Sequence, residues 1–204
     1  MEKEYMGYQI KVEQDDCNES SRDWDNLGIM VCFHNRYNLG DKHELKSSDF
    51  NGWKELEEYI QKTYDAAVIL PLYLYDHSGI SMKVGSFQGL LAQGHAEFDS
   101  GQVGFIYVSK EKVRKEYNWK KITQERAEKL AEYLTNEVEI YNQEISGDVW
   151  VYVITKEDDP EVHEVLGGIY GFNYAEEEAM LCVALMVKNE QEECGVQQTM
   201  ELVV

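Results

Sequence analysis

The run Ala66–Tyr75, AAVILPLYLY, is apolar at almost every position. A strand built from it has no face for water, so both of its faces need cover from other elements. Pro71, in its middle, has no N–H to give and limits pairing at that point to one side, or calls for a bulge. Other strands follow from the pattern. Tyr8–Val12 alternates apolar and polar residues, whereas Ile29–Phe33, Val103–Val108 and Val149–Ile154 are apolar enough to be buried.

Two stretches carry helical spacing instead. Asp49 or Asn51 caps a helix running to about Tyr64, with Trp53, Leu56, Ile60 and Tyr64 on one face and Glu55, Glu57 and Glu58 in its first turns. A longer helix from about Thr123 to Ile145 turns Ala127, Leu130, Ala131, Leu134, Val138, Tyr141 and Ile145 inward, and Ser146-Gly147 ends it. Ala175–Lys188 is rich in helix formers at its start, while VALMV would also serve as a strand. Strands and helices interleave without a βαβ cadence. The expected fold is α+β: one domain over 1–204, a central, mostly antiparallel sheet, and two principal helices near 51–64 and 123–145.

Charge bounds the partners. The 39 acids and 19 bases leave −20, and from Thr155 onward 12 acids face 2 bases, so half of that charge lies in an acidic C-terminal part from about 155. Such a field repels phosphate and disfavours direct non-specific nucleic-acid binding; it either favours a basic protein partner or serves solubility alone. Cys17, Cys32, Cys182 and Cys194 form no CxxC pair. No apolar leader opens the sequence and no run is long enough to span a bilayer, so a reduced, cytoplasmic protein with no membrane contact is expected.

Chemistry-bearing residues gather in two non-periodic stretches, where binding surfaces tend to be built. Ser21–Asp41, SRDWDNLGIMVCFHNRYNLGD, packs Trp24, Asp25, Cys32, His34 and Arg36 into 21 residues. Asp76–Gly104 adds Asp76, His77, Ser78 and Asp99. In Asp76-His77-Ser78 the His could act as base and the Ser as nucleophile. Neighbouring side chains diverge, however, and a DHSG turn with Asp and Ser on backbone amides is the competing reading. Cys32 and His34, with His43, His77 and Asp99, supply ligand types for a metal, but no ligand spacing selects that over a buried thiol and a hydrogen-bonded imidazole, so no metal or other cofactor is expected. Arg36, with Tyr37 near Asp23, Asp25 and Asp41, suits a structural knot in which a guanidinium forks onto carboxylates. Glu176, Glu177, Glu178, Glu190, Glu192 and Glu193 either imitate spaced phosphates before a basic groove or form a solvated face.

The first stretch resembles an uncharacterised family of phage and prophage proteins with a W-D-N-L-G…C-x-H-x-R-Y…L-G-D signature. Leu70–Gly79 (LPLYLYDHSG), Asp99–Val108 (DSGQVGFIYV) and Gly167–Gly171 (GGIYG) continue the likeness over roughly residues 8 to 172. This chain has Ala96, Glu97 and Phe98 where a Cys and a Trp usually precede DSG, and Leu166 where a Cys often stands, so a thiol or metal centre at those positions is not implied. The resemblance implies phage origin and the cytoplasm of a bacterial host, and no activity.

Taken together, these features lead us to expect an accessory protein that binds and inhibits a host protein through an acidic surface, of the anti-CRISPR or anti-restriction kind. The alternative is a small-molecule-binding protein or hydrolase with a pocket around Cys32, His34, Asp76 and His77.

Overall fold

A computed structural model describes residues 1–16, 19–90, 98–156 and 159–201, with side chains placed for all of these except 159–163 and 193–201. Cys17, Ala96, Glu97 and the side chains of Glu193 and Cys194 lie outside the described residues. In chain order the elements are β1 (Glu2–Tyr5), β2 (Tyr8–Gln14), β3 (Ile29–Cys32), α1 (Trp53–Thr63), β4 (Ala66–Asp76), β5 (Ile80–Val84), β6 (Ser100–Ser109), α2 (Lys110–Tyr117), α3 (Gln124–Ser146), β7 (Val149–Lys156), β8 (Asp159–Tyr170) and α4 (Phe172–Glu201). The chain is α+β, and every strand pair is antiparallel. Among the described residues there are, in place of one central sheet, two of four strands each, within two compact units: Ser20–Ser146, and Met1–Glu19 together with Gly147–Val204.

In the Ser20–Ser146 unit the strand order is β3-β6-β4-β5. The apolar run forms β4, in the interior of that sheet, and both of its faces are covered as its composition demands. On one side α3 lays Leu130, Leu134, Val138 and Tyr141 over Met30, Leu72, Leu74 and Ile106. On the other, Leu56 and Ile60 of α1 pack on Val31, Phe105 and Tyr107. Each buried aliphatic side chain contributes roughly 1.5–3 kcal/mol of apolar transfer. The constraint at Pro71 is met by register. It pairs with Phe105 of β6, the ladder to β5 begins one residue later at Leu72↔Val84, and the Pro71 carbonyl accepts from Gly85 N–H at 2.9 Å. Gly104 is required where β3 and β4 flank β6, because a Cβ there would overlap the Val31 carbonyl oxygen.

Both ends of the chain build the other unit, with strand order β1-β2-β7-β8. β2 pairs with β7 from Tyr8↔Lys156 to Gln14↔Trp150. On one face α4 places Ala175, Ala179 and Val183, four residues apart, over Tyr8, Ile10, Val12, Tyr152 and Ile154. The region left open between helix and strand is therefore helix throughout its described length. Its two alanines let the helix approach the sheet closely.

The first helix begins differently from expectation. Gly52, at φ +107°, is its N-cap, whereas Asp49 accepts from Lys46 N–H at 3.3 Å and closes the preceding turn. Glu55 reaches back to the Asn51 backbone N–H (2.6 Å) and side-chain amide (2.9 Å). The basic cluster after β6 is a helix of its own, α2, capped by the Ser109 hydroxyl on Lys112 N–H. Among the described residues no helix is long and apolar enough to cross a membrane.

Candidate functional site

β3 and β4 run in the same direction, each antiparallel to β6, so their C-terminal ends meet the start of β6 at one end of the sheet. His34, Arg36, Asp76, His77, Ser78 and Asp99 are thereby brought to that end from three segments distant in sequence. Alternation along β4 separates Asp76 from His77. His77 stacks on Tyr75 with ring centroids 6.0 Å apart, and Asp76 follows the face of Leu72 and Leu74. Each takes a partner from elsewhere. The Arg36 guanidinium donates to the Asp76 carboxylate, and His77 Nδ1 lies 3.0 Å from Asp99 Oδ2. Ser78, at φ +58°, forms the turn into β5, and His77 N–H donates to the Gly79 carbonyl.

The rest of this end is aromatic. His34 stacks on Tyr37 (5.0 Å) and its Nδ1 accepts from the N–H groups of Arg36 and Tyr37, both at 3.3 Å. Arg36 also covers the Tyr37 ring, and Tyr75 leans on Phe87. Sequence reasoning passed over Tyr75 and Phe87. Tyr75 was legible as the residue two before His77 on one strand face.

Cys32 does not belong to this surface. Burial, and then the Asp41 charge, push its thiol up to about 12, and the neighbouring His43 spends Nε2 on the Cys32 carbonyl at 3.0 Å. Among the described residues no three His, Cys, Asp or Glu gather as metal ligands. A cavity of about 120 Å³ lined by Phe33, Ser47, Phe50, Gly52, Trp53 and Leu56 contains none of Cys32, His34, Asp76 or His77.

The structural knot expected at Arg36 exists, but Arg22 makes it. Its guanidinium forks onto Asp41 (Nε–Oδ1 3.0 Å, Nη2–Oδ2 2.8 Å), donates to the Gly28 carbonyl at 2.8 Å and lies 3.5 Å from Glu137 of α3. Burial opposes the charge on Arg22, and the Asp41 and Glu137 carboxylates outweigh it and hold the guanidinium above its ordinary value. Glu137 also accepts from the N–H groups of Leu27 (2.6 Å) and Gly28 (3.0 Å), Glu144 accepts from Ser21 N–H and Oγ–H (2.7 and 2.6 Å), and Asp41 accepts from Met30 N–H (2.7 Å). The signal in sequence was the pairing of a late Asp with an early Arg across the stretch.

That network fixes the segment carrying Trp24 and Asp25, which precedes β3 and lies apart from the sheet-end cluster. Asn26 donates its side-chain amide to the carbonyls of Ser21 (2.8 Å) and Trp24 (3.1 Å). Trp24 remains 47% exposed, between exposed Asp23 and Asp25. Beside it is a hollow of about 220 Å³ lined by Asp25, Asn26, Leu27, Lys112, Glu116, Tyr117, Tyr133 and Glu137. Lys112, its only cation, donates to the Asn26 carbonyl. Burial chiefly, and then Tyr133, Glu116 and Glu137, raise the Tyr117 hydroxyl.

On α4 the acidic residues do not form one face, since their numbers place them all round the helix at 100° per residue. Glu176 pairs with Lys3 at 2.6 Å, Glu190 takes Tyr8 Oη–H and Lys156 (both 2.8 Å), Glu192 lies 3.8 Å from Lys188, and Glu178 is bonded to Tyr174. Glu177 is exposed.

Comparison of the chain with protein-family models, curated proteins and solved structures finds no match.

Proposed function

We propose that the protein binds and inhibits a basic partner protein, with Trp24 as anchor and the adjoining acidic hollow as the receptor for an Arg or Lys side chain. The observation that carries this reading is the rigid presentation of an exposed Trp between two Asp. A tryptophan held in place loses little freedom on docking, and such residues dominate interface energetics. Asp25 and Glu116 supply charge for a cationic side chain, and the Tyr117 and Tyr133 rings supply faces for it. The field of a −20 chain steers such a partner in. The resemblance to phage proteins supports a host defence protein as that partner.

The test is capture from bacterial host lysate on the immobilised chain at low and high salt. Support requires a stoichiometric partner that is lost at high salt and lost with Trp24→Ala or Asp25→Lys, but kept by Arg36→Ala. A partner indifferent to Trp24 and to salt would sink the reading.

One observation favours a second reading at the sheet end. A carboxylate on Nδ1 is the orienting half of a general-base pair, so the His77–Asp99 contact suits a hydrolase. In that case Asp99→Asn abolishes turnover of an ester or phosphoester panel while partner capture is unchanged.

A further inference from the structure

α4 is apolar on two opposite sides. Ala175, Ala179 and Val183 face the sheet, while Tyr174, Leu181 and Leu185 on the other side are 56%, 55% and 53% exposed. With Glu178, Lys188 and Glu192 these form a stripe at alternating spacings of four and three residues, the pattern of a two-helix seam. The stripe is self-complementary about Val183. Leu181 and Leu185 lie two residues either side of it, Glu178 and Lys188 five, Tyr174 and Glu192 nine.

From this we infer that α4 is a homodimerisation helix, which pairs antiparallel with α4 of a second copy of this chain about a two-fold axis at Val183. In that register each Leu181 meets the Leu185 of the other copy, Glu178 meets Lys188, and the Tyr174 hydroxyl meets Glu192. These are the layers that antiparallel packing of such a seam brings together, and a two-fold interface must be self-complementary in this way. Within one chain Glu178 already takes the Tyr174 hydroxyl and Lys188 lies 3.8 Å from Glu192, so the polar groups are aligned along the stripe. A parallel pair would set Glu178 against Glu178 and Lys188 against Lys188, which like-charge repulsion disfavours. Two copies each carrying −20 repel at long range. Salt screens that repulsion, so the dimer tightens or holds as salt rises, the reverse of docking to a basic partner.

Sedimentation velocity of the full chain over a concentration series tests this. The expected result is a monomer–dimer equilibrium. Glu178→Lys alone and Lys188→Glu alone each weaken it about tenfold or more, since either sets like charges face to face. The double variant Glu178→Lys/Lys188→Glu recovers it, and an equimolar mixture of the two single variants associates where neither does alone. Lys188 is exposed and Glu178 half-buried, and circular dichroism checks that the variants stay folded. A monomer at every concentration overturns the inference. So does a dimer that ignores both single changes, or a failure of both the double variant and the mixture to recover association.

Discussion

Arg22–Asp41 and Arg36–Asp76 are the same chemical pair in two settings. The Arg22 side chain is 6% exposed and its guanidinium meets Asp41, the Gly28 carbonyl and Glu137, whereas Arg36 is 67% exposed and reaches one carboxylate. The first pair ties the Ser21–Asp41 segment to α3 by way of Glu137. The second closes the rim of the sheet end. The difference teaches that a charged pair fixes a fold when its removal strands a charge away from water, and otherwise leaves the surface free to recognise something.

The largest effect should come from breaking the buried pair. Asp41→Ala strips the buried Arg22 guanidinium of its bidentate carboxylate, leaving it the Gly28 carbonyl and Glu137 at 3.5 Å, and takes the Met30 N–H acceptor as well, at an expected cost of about 3–5 kcal/mol. Urea denaturation followed by tryptophan fluorescence measures it, and a loss below about 1 kcal/mol would remove the distinction between the two pairs. Beneath that lock the α3 floor is apolar. Leu134, fully buried and in the path of any Cβ on Gly28, should cost about 3 kcal/mol as Leu134→Ala, from lost transfer energy and the cavity left behind.

Alkali should separate the two regions next. Burial, aided by the Asp41 charge, holds Cys32 up to about 12; burial, then Tyr64 and Asp41, hold Tyr107 up to about 12, against ordinary values of 9.0 and 10.0. Between those limits the native chain keeps protons that the unfolded chain releases. The stability these groups contribute is thus fully present below about pH 9 and is lost as pH rises towards 12. Urea midpoints at pH 8, 10 and 11 should fall in sequence. Cys32→Ser should flatten the first part of the decline, and Arg36→Ala should leave the slope unchanged.

Much of this contrast was legible from residues, and the part that was not has a physical reason. The two-sided apolarity of AAVILPLYLY required cover on both faces, and α1 and α3 supply it at Leu56, Ile60, Leu130 and Leu134. Convergence of His34 and Arg36 with Asp76, His77 and Asp99 was also foreseeable, since all flank strand ends. The choice of arginine was harder to read, because Arg22 and Arg36 share one stretch with the same Asp residues and burial under α3 decides between them. Nor does composition mark the unit made from both chain ends: β2 finds β7 across more than a hundred residues of intervening chain, and Ser146-Gly147, legible as a helix end, is also where that unit resumes. On α4 two apolar faces cancel each other's periodicity, so that beyond the helix formers at its start the VALMV run reads as helix or strand.

The smallest expected effect is also the sharpest test of the comparison. Arg36→Ala removes an exposed guanidinium from Asp76, whose carboxylate, about a fifth exposed, is left to water. Exposed pairs of this kind contribute about 0–1 kcal/mol, so the urea midpoint should barely move. What should change is the surface. Tyr37 loses the cation over its ring and the sheet end becomes one charge more acidic. If partner capture through Trp24 is unaffected, the two Arg–Asp pairs serve two separate parts of the molecule. A destabilisation approaching that of Asp41→Ala would instead mean that the sheet end is part of the same buried lock, and that exposure is the wrong criterion for telling scaffold from surface.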